Sequence, residues 1–131
     1  MVKVLVDSSV MIEKLRKGKG FYDKLIGLQS SGKVELLLSV IVIAELWTGE
    51  SMSIKVKREA VETLIKYLKR IIVNENIAKI AGEIMRLYKI QGMDALIAAS
   101  AIEDEAELAT LNVKDFKKIK GLKLFKGGKI D

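Results

Sequence analysis

Short β-branched runs alternate with helical-period stretches along the whole chain. Val2, Val4, Leu5 and Val6 make a compact apolar run that ends at Asp7, which reads as a buried first strand. Ser8 or Ser9 is placed to cap the helix that follows, where Val10, Met11 and Leu15 share a face. Gly18 and Gly20 mark its exit. Phe21, Leu25 and Leu28 fall at i, i+4 and i+7, so a second helix is expected to about residue 29, before the SSG turn.

Residues 34–38 read as the second strand, with Ser39 as N-cap of a helix over 40–48 that Gly49 closes. A longer helix is predicted over 53–69, with Val56, Ala60, Leu64 and Leu68 on one face. Residues 71–73 form a short third strand, and Asn74 caps a helix carrying Ile77, Ile80, Ala81, Ile84 and Leu87. Gly92 precedes another helix, from Asp94 to about residue 103, and residues 108–111 and 122–125 give a fourth and a fifth strand. This alternation predicts an α/β fold with a mainly parallel sheet between helical layers, in one domain over residues 1–131. Residues 126–131, ending in GGKID, are expected to be a flexible, frayed tail.

Composition narrows the chemistry by what it removes. There is no cysteine and no histidine, which excludes a Ser-His-Asp triad, a Cys-His pair and a usual zinc site. Carboxylates, lysines and hydroxyls remain, and carboxylate oxygens are hard ligands suited to Mg²⁺ or Mn²⁺. Half the residues are hydrophobic and 31% are charged, so a disordered chain is excluded. No run approaches the roughly 18 apolar residues of a membrane span, and the opening MVKVLVDSS does not read as a signal peptide. A soluble, cytoplasmic protein without a membrane partner is expected. The net charge of +6 and pI near 9.5 favour a polyanionic partner, although lysine- and glutamate-rich surfaces also occur in heat-adapted proteins.

In open α/β sheets, ligands bind at the carboxyl ends of the strands. Asp7 sits at that end of the first strand, and residues 112–115 follow the fourth strand at the same edge. Asp94 opens a helix at the rim, where a purely structural N-cap role is the alternative. Glu45 lies mid-helix in SVIVIAELWTG, among Ile41, Val42, Ile43, Ala44 and Leu46. A glutamate there is expensive to bury unless something positive meets it. The alternative is a solvent-facing residue, and a metal near Asp7 would account for the exception.

At these residues the chain resembles the PIN-domain ribonucleases, in particular the VapC-type toxins of VapBC toxin–antitoxin pairs. The matching segments are LVDSSVMI with Asp7, SVIVIAELWTG with Glu45, GMDALIAASA with Asp94, and ELATLNVKDF with Thr110, Asn112 and Asp115. Each is weak alone, but order, spacing and length agree over essentially the whole chain. The resemblance implies a three-layer α/β/α sandwich with a five-stranded sheet of order 3-2-1-4-5. It also implies an acidic cluster that binds Mg²⁺ or Mn²⁺ and hydrolyses RNA phosphodiester bonds, a homodimer, and a VapB-like antitoxin partner. Asp7 and Asp94 match the family's main metal ligands and Glu45 its second acid. The fourth acid departs from the pattern: Asn112 keeps the spacing and Asp115 keeps the charge, and which approaches the metal stays open.

The expected metal set is therefore Asp7, Glu45, Asp94, Asn112 and Asp115, with Glu45 or Asp115 orienting the attacking water. Ser9 and Thr110 are short hydroxyls beside the acids; they either hold waters and phosphate oxygens or serve as a cap and a strand end. Lys14, Arg16, Lys17 and Lys19, with Lys114, Lys117, Lys118 and Lys120, are candidate phosphate contacts. Lys55, Lys57 and Arg58 read as a solvated face. Aromatics make up 5% of the chain, too few for stacking-based RNA recognition. Trp47 and Tyr88 read as core or interface residues, and Leu46, Trp47, Leu64 and Leu68 as apolar surface for a second copy or an antitoxin segment. The rival readings are an RNA-processing nuclease outside a toxin system, a catalytically silent RNA- or protein-binding module, and a phosphoacceptor domain. The last is disfavoured because the first strand ends in a single Asp7 followed by Ser8 and Ser9.

Overall fold

The computed structural model describes residues 1–127. Strand β1 (Val2–Val6) lies between β2 (Val34–Ser39) and β4 (Glu107–Ala109), and β3 (Lys69–Ile71) flanks β2. All three pairings are parallel, in the order β3-β2-β1-β4. Consecutive residues Val4, Leu5 and Val6, like Leu36, Leu37 and Leu38, are buried, so both sheet faces are covered. That is why these strands read as continuous apolar runs instead of an alternation.

The covering helices are α1 (Ser8–Lys17), α2 (Phe21–Ser30), α3 (Val40–Trp47), α4 (Lys55–Ile65), α5 (Glu75–Tyr88) and α6 (Gly92–Glu103), with a short α7 (Val113–Phe116). Helix α6 buries Ala95, Ile97, Ala98, Ala99, Ser100 and Ala101, and packs against α3, α5 and β4. Mostly small side chains let its backbone sit close to its neighbours, which fixes its N-terminus at the rim of the sheet. Ser39 and Asn74 cap α3 and α5 as expected, accepting from Ile41 N at 3.1 Å and Ile77 N at 2.8 Å. No described helix is long and apolar enough to cross a membrane.

The expected fifth strand is reduced to one bridge, Leu108 to Leu124, so the sheet has four strands among the described residues. Leu108 N donates to Lys123 O and Phe125 N to Leu108 O, both at 2.8 Å, in the place beside β4 where a fifth strand belongs. The segment then leaves the ladder because Phe125 is buried against Phe21, with ring centroids 6.4 Å apart. Gly127 continues this packing: a Cβ there would stand 2.9 Å from the Phe125 ring and 3.0 Å from that of Phe21. Of the expected tail over 126–131, residues 128–131 lie outside the described residues.

Other boundaries moved for identifiable reasons. The long helix expected over 53–69 becomes a 3-10 turn (Glu50–Ser53) followed by α4, which buries Val61 and Ile65 and leaves Val56 72% exposed. Arg70 Nη1 donates to the carbonyls of Ile65 and Leu68, at 2.7 and 2.6 Å, and holds the chain where it turns from α4 into β3. Helix α3 closes through Thr48, whose hydroxyl donates to Glu45 O at 2.7 Å; Gly49, at φ −70°, is not a left-handed cap. Leu46 and Leu68 belong to the core, so the apolar face expected around them shrinks to Trp47 and half-buried Leu64.

Candidate metal centre

The rim is built where β1 and β4 end side by side. Asp7 occupies the N-cap position of α1, which displaces the expected serine cap, and its side chain makes no capping bond. It is buried at 3% exposure, and its Oδ2 accepts from Ser9 Oγ and from Thr110 Oγ1, each at 2.7 Å. Ser9 Oγ in turn accepts from Leu111 N at 3.0 Å, and Thr110 Oγ1 from Asn112 N at 2.9 Å. The two hydroxyls thus tie Asp7 to the loop after β4. They serve the carboxylate itself, so strand β4 ends at Ala109 and Thr110 leaves the ladder.

Gln91, not Asp94, caps α6, accepting from Met93 N at 3.2 Å. Asp94 stands in the first turn, free of capping duty and close to the positive end of the helix dipole. Burial pushes its pKa up; the Gln91 side chain pulls it back in part, and the charges of Asp7 and Asp115 raise it further. Burial raises Glu45 as well, opposed by the Ser8 hydroxyl and reinforced by the charges of Asp7 and Asp94. Glu45 sits in the last turns of α3, where the dipole offers an anion no help.

The charges of Asp7 and Asp94 thus reach Glu45, and those of Asp7 and Asp115 reach Asp94. Among the described residues no three acids already form a closed metal cage. The fit to a divalent cation rests on a different observation: Glu45 Oε1 is buried and has no hydrogen-bond partner. A buried, unpartnered carboxylate oxygen among like charges is costly, and a hard cation is the ligand that relieves it. Asp115 is exposed at the start of α7 and adds its charge to the group. Asn112 precedes it as the N-cap residue, with no capping bond from its side chain.

The basic residues divide. Lys14 is held in the α1–α2 corner, its Nζ donating to Asp23 Oδ1 and Gly18 O at 2.8 Å each, and it is not free for RNA. Arg16 lines a groove of about 470 Å³ together with Glu45, Leu15, Leu46, Met52 and Val61. Lys17, Lys19, Lys114, Lys117, Lys118 and Lys120 are exposed. Tyr88 is structural: its hydroxyl accepts from Lys120 N at 3.1 Å. Gln91 is the site residue that sequence reading missed, since glutamine is an uncommon cap and carries no signal in the pattern.

Residues 4–122 match the model of the PIN domain family. The chain is 36% identical over 125 residues to the ribonuclease VapC10 of Mycobacterium tuberculosis, covering 92% of this chain and 90% of that protein. It is 32% identical over 117 residues to ribonuclease VapC19 of the same organism, covering 86% and 90%. Among solved structures, VapBC2 from Rickettsia felis bound to a DNA fragment from their promoter superposes with a TM-score of 0.82 at 26% identity, over 95% of this chain and 98% of that chain. The chain belongs to the PIN-domain family, on its VapC branch.

Proposed function

We infer that this protein is a ribonuclease, the toxin of a type II toxin–antitoxin pair, and that it works in the cytoplasm with Mg²⁺ or Mn²⁺. The ribonuclease and toxin assignments rest on its VapC relatives and on the VapBC complex of the same fold. The metal requirement is supported above all by the buried, unpartnered Glu45 Oε1 beside Asp7 and Asp94.

Asp7, Asp94 and Glu45 would hold the ion, with Asp115 or Asn112 completing the set. When bound, the ion supplies positive charge that offsets the scissile phosphate and favours deprotonation of water. The chain's own residues do the rest. Asp7 is fixed by Ser9 and Thr110 and cannot swing away. Glu45 or Asp115 would orient the attacking water. Exposed Lys114, Lys117 and Lys118 would bind phosphates without reading sequence.

The groove that carries Arg16 and Glu45, with its apolar walls, is the proposed seat of a VapB-like antitoxin segment. A homodimer is part of the same reading; exposed Met93, Leu111 and Val113, flanking Asp94 and Asn112, are the apolar residues a second copy would cover. The deciding test is cleavage of a mixed RNA pool with Mg²⁺, Mn²⁺ or chelator, beside Asp94→Asn. Cleavage that survives both chelation and Asp94→Asn would refute the assignment.

A further inference from the structure

Asp7, if ionised, is an acceptor only, and each of its oxygens offers about two lone-pair sites. Ser9 and Thr110 have one proton apiece. Both hydroxyls accept a backbone N–H, from Leu111 at 3.0 Å and Asn112 at 2.9 Å, so their own protons are left for the carboxylate. Both protons go to the same oxygen, Oδ2, at 2.7 Å each. The 3.3 Å approach of Ser9 Oγ to Thr110 Oγ1 then carries no proton and follows from their sharing one acceptor. Oδ2 is filled, and Oδ1 takes no bond from either hydroxyl or from the N-terminus of α1.

Resting on the metal-dependent reading above, we propose that Ser9 and Thr110 are a paired positioning device. By saturating Oδ2 they leave Oδ1 as the Asp7 oxygen open to a metal, and through Leu111 N and Asn112 N they fix the segment that carries Asn112 and leads into α7 with Asp115. Neither hydroxyl contacts substrate or metal. This separates them from the alternative role of holding waters or phosphate oxygens. It also ties the loop after β4 to Asp7, because the amides of Leu111 and Asn112 answer to the hydroxyls that hold it.

The test is Mn²⁺ titration of the full chain, followed by the electron paramagnetic resonance signal of free Mn²⁺, on the wild type, Ser9→Ala, Thr110→Val, Thr110→Ser and Asp94→Asn. Loss of an outer-sphere partner of a metal ligand typically weakens affinity about 10- to 100-fold. Ser9→Ala and Thr110→Val are expected to fall in that range while circular dichroism keeps the fold, and Thr110→Ser is expected to bind as the wild type does. Should Thr110→Val fail to fold, Ser9→Ala and Thr110→Ser carry the comparison. Wild-type affinity in Ser9→Ala and Thr110→Val, with binding lost in Asp94→Asn, would overturn the positioning role and leave the metal site standing. Equal weakening in Thr110→Ser and Thr110→Val would overturn it too, since the hydroxyl would not be the cause. A wild-type protein that binds no Mn²⁺ would remove both the device and the metal-dependent reading.

Discussion

The N–H of Asp7 donates to the carbonyl of Ala109 at 2.9 Å, just beyond the last pair of the β1–β4 ladder, Val6 with Ala109. Parallel pairing makes the two strands end together, so the residues that follow, Asp7 and Thr110, emerge side by side although 103 positions apart. Asp94 and Glu45 arrive by other routes, from the first turn of α6 and the last turns of α3. The acids meet because the strand and helix ends meet, and each depends on core packing behind it.

Asp94→Asn is expected to abolish metal-dependent cleavage while the fold survives. A lost ligand should cost more than the roughly 10- to 100-fold of a lost outer-sphere partner. In the metal-free protein the same change removes a charge that raises Glu45, so thermal stability at neutral pH should hold or rise. Melting curves with and without Mn²⁺ check both halves. The wild type should gain stability on Mn²⁺ addition and the variant should not.

The pH dependence has a definite sign. Burial and neighbouring acids raise Glu45 and Asp94 in the folded state above their ordinary values of 4.5 and 3.8. Between the ordinary and the raised pKa the folded protein holds more protons than the unfolded one, so these groups reduce metal-free stability as pH rises through that window. The lowered Asp23 works the other way: its stabilisation is lost as pH falls through its folded pKa. The clean measurement is therefore a difference: urea unfolding of metal-free Glu45→Gln against the wild type from acid to neutral pH. The variant should gain relative to the wild type as pH rises, and a flat difference would contradict a buried, destabilised Glu45.

Helix capping separates structure from chemistry at two places. Asn74→Ala removes the bond to Ile77 N and is expected to cost about 1 kcal/mol with activity unchanged. Asp94→Ser is expected to do the reverse. Gln91 holds the cap of α6, so stability should change little while cleavage is lost. Denaturant midpoints and RNA cleavage on the same two variants are the measurement.

Most of the fold was legible because buried parallel strands and amphipathic helices leave strong periodic signals, and Ser39 and Asn74 announced their caps. The fifth strand misled because Leu122, Leu124 and Phe125 have strand-like composition, while the stacking of Phe125 on Phe21 is a long-range event no local pattern carries. Leu46 and Leu68 read as surface from the sequence but lie in the core, because a helix face shows its period but not how much of it a neighbour covers. At the site, the residue types were legible and the wiring was not. Ser9 and Thr110 stood out as hydroxyls beside acids, but their shared oxygen on Asp7 depends on strand register across the sheet.

The tight packing of α6 makes a prediction about precision. Ala98 is fully buried, so Ala98→Leu overpacks a helix whose N-terminus carries Asp94. A cost of about 1–3 kcal/mol is expected. Because the surplus volume can be relieved by sliding α6 along the sheet, Mn²⁺ affinity should fall even at temperatures where the variant is fully folded. Calorimetric titration well below the unfolding temperature checks this, and unaltered affinity would mean that Asp94 is positioned independently of the core behind it.

The exposed lysines after β4 lead to a prediction about salt. Phosphate contacts release counterions, with a slope in log–log plots of about 0.7 per contact on single strands. If Lys117 and Lys118 each meet a phosphate, Lys117→Ala and Lys118→Ala should each lower that slope by about 0.7 and weaken all RNA sequences alike. Binding should be measured in an Asp94→Asn background, so that substrate stays intact. Lys55→Ala, on the solvated start of α4, is the control and should leave the slope unchanged. Lys14→Ala should also leave it unchanged, because that ammonium already serves Asp23 and Gly18; a slope that drops with Lys14 would mean the α1–α2 corner opens to meet RNA.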